Sequence, residues 1–415
     1  MAKAKGVLMG ELAGETVGEG LFVLPGQGNS LAIETGDGVV LLDASGHAHA
    51  PGMIAELRDR TNAPVHAIVY SHGHNGYNAA VDVWDAHNAE RGEPPARRIA
   101  HRLLPARYAR YRETAELQAR MAAMQFPARR TVAEIGATFG LHDPTETFED
   151  TMVVTTAGRR VELIHAPSEV DDALALWLPD NGLLAAGAAA PGTTIPNIGT
   201  PLRTQRYTIR WAQTLERLAA LEAERLLTEF GPLIEGRAAV REWLISTADA
   251  LRWLREEVVR RLNAGMNERE ILADMSYPPA IFDKPWMAPT YGAPEYIVRD
   301  LYREENGWWD RNPTTLHPAS EAAAAAAVWS AIDPARVLGR AQELAQAGEA
   351  QLALHVIDLI AGGPAGEPLA VEARRLKAEL CRTLAQTTSA FVSRSLYRTS
   401  ANLLDQDATS WTALG

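Results

Sequence analysis

The chain has 415 residues, 47 % of them hydrophobic and 22 % charged, with 40 Lys and Arg against 52 Asp and Glu for a net charge of −12. That length carries two or three domains with at least one substantial core, and the ordinary globular composition excludes fibrous and disordered classes. Acidic residues spread along the chain, with no basic block, exclude a protein built to grip nucleic acid by its phosphates.

Short apolar runs at residues 20–25, 29–34 and 39–43, separated by Gly-containing turns, predict an antiparallel strand series. The continuous apolar run at 66–71 predicts a buried strand, and 78–88 a helix after it. Further strands are expected at 152–155, 161–165, 173–178 and 183–186, which together describe a layered α/β domain. After about Gly236 the pattern turns helical, at 237–262, 335–347, 350–360 and 368–384, with a six-Ala run at 322–327 that reads as an exposed or packed helix. Six large aromatics, Trp286, Tyr291, Tyr296, Tyr302, Trp308 and Trp309, fall between these helices; they predict either a local loop core or a buried interface between subunits. The Gly-broken helix pair around Gly348 is similar to a helical repeat, but one or two units are fewer than the three or more a solenoid needs.

The single cysteine, Cys381, allows no intramolecular disulfide and no Cys-rich zinc or iron–sulfur framework, so any metal must be held by His and carboxylates. Residues 1–9 are basic without an apolar stretch, and no apolar run of about 18 residues occurs anywhere, which predicts a soluble, cytoplasmic chain with no membrane span.

The most informative string is Ser71-His72-Gly73-His74-Asn75-Gly76-Tyr77, where a buried strand ends and a helix is expected to start. Two imidazoles one residue apart on a turning backbone can converge on one cation. Chance alone supplies roughly 0.3 such His-x-His strings in a chain of this composition, and here a second follows the strand ending at Asp43, as His47-Ala48-His49.

Several separated strings in the right order carry a resemblance. The His-x-His turn and Asp43, Glu169 in Pro167-Ser168-Glu169, Pro196-Asn197, Arg206 and Trp211, the loop from Phe230 to Gly236, and the segment from Tyr291 through Trp308-Trp309 to Pro313 are similar to the alkyl sulfatase branch of the metallo-β-lactamase superfamily. The resemblance implies an αββα sandwich over residues 1–240 followed by an all-α dimerisation domain over 241–415, and hence a homodimer. It leaves the branch's sterol-carrier-like C-terminal domain without a counterpart. It implies a hydrolase that uses metal ligands from a His-x-His-x-Asp-His motif. Here Gly76 and Tyr77 replace the last two residues of that motif, Ala188 the second acidic ligand and Phe230 the late histidine. Each loss falls on the second metal position or the bridge, whereas His72, His74 and Glu169 make up one complete position.

Two imidazoles and one carboxylate leave coordination sites open for water or substrate, as catalytic zinc or non-haem iron requires. The expectation is therefore one divalent ion, zinc foremost with iron or manganese as alternatives, in a hydrolase that cleaves a sulfate or related ester with an apolar moiety. The alternatives are a catalytically inactive dimeric binding protein on the same fold, a site rebuilt with His47 and His49, and a mononuclear non-haem iron oxygenase. Asp43, Asp171 and Asp172 are the carboxylates placed to orient imidazoles or accept a proton. Tyr77 either donates to a developing charge or fills the volume of the lost ligand. Asn197, Arg203 and Arg206 are the expected substrate contacts. Arg203, Arg206 and Arg210 either clamp an anion from one helix face or pair with acids such as Glu216.

Overall fold

The computed structural model describes residues 10–126, 131–408 and 410–414; the reading of residues 1–9 lies outside them. Seven strands form one sheet in sequential order: β1 (Thr16–Gly18), β2 (Leu21–Gly26), β3 (Gly28–Thr35), β4 (Gly38–Leu42), β5 (Val65–Val69), β6 (Arg97–His101) and β7 (Glu146–Phe148). The predicted antiparallel series is β2 to β4, while β4 to β7 run parallel and are joined by crossovers that contain helices. A second sheet takes β8 (Thr151–Thr155), β9 (Val161–His165), β10 (Leu174–Leu178), β11 (Leu183–Ala185), β12 (Arg225–Leu227) and β13 (Leu233–Glu235), in the reverse of that order across the sheet.

Strand alternation sorts the side chains into layers. Leu31, Ile33, Val40, Leu42, Ala67 and Val69 turn inward onto Leu163, Leu174, Leu176 and Leu178 of the second sheet. Their neighbours Ala32, Val39, Leu41, Ile68 and Tyr70 turn outward, onto Met53, Leu57, Trp84, Leu104 and Tyr108 of the helices Ala50–Arg60, Val81–Glu90 and Leu104–Glu113. The outer face of the second sheet is covered by the helices Thr208–Ala219 and Arg237–Asn263 through Trp211, Leu215, Trp243, Leu251 and Leu254. This is the αββα sandwich.

By compactness the chain divides into Met1–Ala115 with Ala137–Glu305, and Glu116–Gly136 with Asn306–Gly415. The first unit thus runs on past residue 240 and includes most of the aromatic stretch: Tyr296 and Tyr302 are buried, and Trp286 stacks on Trp243 at 5.9 Å. The second unit contains the helices Glu321–Ala331, Pro334–Gln346, Ala350–Ala361, Pro368–Thr387 and Phe391–Asp405, with a core of Leu338, Leu344, Ile357, Ile360 and Leu380. The six-Ala run is the largely exposed helix Glu321–Ala331, whose first turn is capped by Ser320 Oγ accepting from Ala323 N–H at 3.2 Å. Among the described residues no helix is long and apolar enough to cross a membrane.

Two local expectations shift. The helix expected from residue 78 begins at Val81. Asn78 instead turns its side chain back, accepting from Ala44 N–H at 2.9 Å and donating to Asp43 Oδ1 at 2.9 Å. Arg203 and Arg206 precede the helix Thr208–Ala219, so the three arginines do not line one helical face. Arg210 lies over the Tyr207 ring, and Glu216 pairs with Arg252 at 2.7 Å.

Candidate active site

The His-x-His turn follows β5, and at its start the Ser71 carbonyl accepts Leu174 N–H of β10 at 2.8 Å. Asp43, in the left-handed region at φ 64°, receives Ser71 N–H at 2.8 Å and the Asn78 amide on the same Oδ1, which ties the β4 and β5 loops together. Burial pushes the Asp43 carboxyl up to about 6 against the lowering effect of those bonds. A Cβ on Gly73 would lie 2.7 Å from both Arg107 Cδ and Asp172 Oδ2, so a side chain there would have to displace that ion pair.

His72 is fully buried, with Nδ1 2.9 Å from Ser71 Oγ and Nε2 2.9 Å from His74 Nδ1. Burial, together with the smaller effects of the Arg107 and Arg206 charges, lowers the His72 imidazole to about 3. His74 is likewise held neutral, first by burial and then by His72, Arg206, Arg107 and Arg203. The leading charges that act on this pair are guanidiniums rather than carboxylates.

Glu169 lies in the loop between β9 and β10. Its Oε1 accepts from Asn197 Nδ2 at 2.7 Å and pairs with Arg206 Nη1 at 2.8 Å. Arg206 is buried and also donates to the Asn197 carbonyl, while its backbone N–H donates to Asp300 Oδ2 at 2.9 Å. Arg203 is half-buried, with Nη1 on the Leu202 carbonyl at 3.1 Å. Asp172 is buried and receives Arg107 Nε on Oδ1 at 2.5 Å, while its Oδ2 has no partner; Arg107 also bonds Asp171.

The structure therefore brings together His72 with His74, and Glu169 with Asn197 and Arg206. Elsewhere, the His47 ring pairs with Asp82 at 3.0 Å on the surface, and His49 approaches Ser45 Oγ at 3.4 Å. Tyr77, beside the His72 ring at 4.2 Å, donates its hydroxyl to Glu229. Glu229 was not among the residues singled out from the sequence. Burial, reinforced by the Glu169 charge, pushes its carboxyl up to about 8, so it is largely protonated at neutral pH. Burial and the Glu229 charge raise Tyr77 as well. A cavity of about 20 Å³, room for one water, is lined by Asp43, Ser71, Tyr77 and Glu229 among others. A charged residue between the apolar pair Leu226-Leu227 and Phe230, just past a strand end, was the available sequence signal for Glu229.

Residues 23–229 match the family model described as metallo-beta-lactamase superfamily, and residues 267–407 the one described as alkyl sulfatase dimerisation. The chain belongs to the alkyl-sulfatase-like branch of the metallo-β-lactamase superfamily. A linear primary-alkylsulfatase from Pseudomonas sp. is 32 % identical over 211 residues, covering 50 % of this chain and 39 % of the relative. An (R)-specific secondary-alkylsulfatase from Pseudomonas sp. is 24 % identical over 397 residues, covering 90 % of this chain and 59 % of the relative. The chain thus spans about two-fifths and three-fifths of the length of these relatives. The solved structure of the stereoselective inverting sec-alkylsulfatase Pisa1 from Pseudomonas sp. superposes with a TM-score of 0.80 at 20 % identity, over 95 % of this chain and 66 % of that one, a likeness of fold.

Membership of this superfamily implies a divalent metal, typically zinc. The two ring nitrogens 2.9 Å apart have about the bite of imidazoles on one ion, yet among the described residues no three His, Cys, Asp or Glu side chains are gathered to hold a metal. As the side chains stand, Glu169 is bound to Arg206 and Asn197, and the residues do not fit the expected three-ligand centre.

Proposed function

We propose that the chain is an ester hydrolase of the alkyl-sulfatase type, acting on a sulfate ester or related ester with an apolar moiety, as a homodimer through its helical domain. The observation that carries the reading is the buried His72–His74 pair on this fold, with the charge of the buried Arg206 reaching both rings. Arg206, Arg203 and Asn197 supply local positive charge and donors for an ester anion, which a net charge of −12 would otherwise repel. Glu229, its carboxyl raised and paired with Tyr77 beside the one-water cavity, would serve as the proton donor to a leaving alkoxide, through that water. Asp43 fixes the loop that carries the histidines, and Asp172 holds Arg107 beside it. No step is assigned to an ion, whether zinc, iron or manganese, because Glu169 does not stand with the imidazoles. The oxygenase alternative asks for the same three side chains.

The Glu169–Arg206 pair also favours a second reading, a catalytically inactive dimeric binding protein on the old cleft. Release of inorganic sulfate from linear and secondary alkyl sulfates by the purified full chain separates the two. The hydrolase reading expects release, reduced about 100-fold in Glu229→Gln. Alkyl sulfates that bind without being cleaved, with affinity unchanged by a chelator, select the binding protein.

A further inference from the structure

The departures from the family pattern remove carboxylates and a histidine, but the most consequential feature of the site is a charge that remains. Arg206 lies buried against Glu169 Oε1, the same oxygen that takes the Asn197 amide, which leaves Oε2 as the atom with which Glu169 could ligate. The guanidinium is held through Nη1, on the Asn197 carbonyl and the Glu169 carboxylate, and the backbone of the same residue is anchored by its N–H on Asp300. Asn197 is itself held by Thr200 Oγ1 on its Oδ1. The arrangement is a largely buried ion pair in which the negative charge of Glu169 is already matched. Gly76 and Ala188 stand where the family pattern has acids, so a dication at the imidazole pair would meet guanidiniums without those charges to offset them.

We propose that Arg206 is the resident cation of this centre: by neutralising Glu169 it takes the electrostatic place of a metal ion and holds the His72–His74 pair in a low-affinity state toward divalent metals. The inference rests on the site assigned above. It predicts that the metal position is latent and that one charge keeps it so.

Chelator-stripped full-length protein titrated with Zn²⁺ by calorimetry, with the absorption spectrum of added Co²⁺ as a second readout, tests this. Wild type is expected to remain far from saturated at equimolar zinc. Arg206→Gln, which keeps an amide donor for Glu169 and Asn197 but removes the charge, is expected to take one zinc per chain at least tenfold more tightly, and to lose it again when combined with His74→Ala. Arg206→Lys, which keeps the charge, should match wild type. A wild type that holds one zinc per chain after stripping and re-equilibration in trace zinc, or an Arg206→Gln variant that binds no more tightly than wild type, overturns the proposal. Should Arg206→Gln not fold, Glu169→Gln decides: it leaves the weak zinc affinity of wild type unchanged if Glu169 is already neutralised, and a loss of affinity overturns the idea. Sulfate release by a wild type carrying stoichiometric zinc keeps the proposed reaction and removes this inference. Tighter zinc binding in Arg206→Gln with no sulfate release from any form keeps the inference and removes the reaction.

Discussion

At Glu229, burial outweighs everything else that acts on the carboxyl. Taken out of water beside Glu169, it is raised from 4.5 to about 8 although Tyr77 donates to it. The native state therefore binds a proton between these values that the unfolded chain has released. The stability this contributes is fully present below pH 4.5 and is lost as pH rises through about 8. Glu229→Gln is expected to flatten this part of the profile and to be more stable than wild type above pH 8, by a few kcal/mol, as read from urea unfolding at pH 5, 7 and 9. Residue by residue, His72 and His74 stood out because their spacing is local and they follow a strand end, whereas Glu169 was singled out by resemblance alone. Glu229 and Arg107 did not stand out, because each acquires its role from a residue far away in the chain: Tyr77 is 152 positions from Glu229, and Asp172 is 65 from Arg107.

Between elements, single polar side chains do work that periodicity does not reveal. Asn29, in β3, accepts Leu12 N–H at 3.2 Å and donates to the carbonyls of Thr228 at 2.8 Å and Gly231 at 2.9 Å, tying the first sheet to the loop that carries Glu229. Asn29→Ala leaves buried backbone groups unpaired and should cost about 3 kcal/mol, visible as a lower urea midpoint for the full chain with an unchanged slope. Asn78 shows the same competition: its amide serves Asp43 and Ala44 across the loop, so the helix starts three residues later than apolar spacing predicts. The backbone bond from Arg206 N–H to Asp300 likewise holds Arg206 ahead of the helix Thr208–Ala219.

For the molecule as a whole, the two compact units differ in what holds them. The first buries two faces of each sheet and most of the large aromatics; the second is a set of helices with an Ala- and Leu-rich core and an exposed Trp308. Exposed Leu352 and Leu359 on the helix Ala350–Ala361 are apolar area of the kind a subunit interface covers. If the proposed homodimer forms, sedimentation equilibrium of the full chain gives twice 45.0 kDa, while a mass of one chain at micromolar concentration removes that part of the proposal.

The sequence by itself determined the layered α/β half and the helical half, which follow from local apolar period and strand-end motifs that one-dimensional spacing carries; the branch of the superfamily was legible from its resemblance to known motifs, not from spacing. Only the tertiary structure decided what the surviving residues are bound to. It gave Glu169 to Arg206, Asp43 to the loop backbone, Asp172 to Arg107 and Tyr77 to Glu229, because a buried charge takes whichever partner the fold brings within reach.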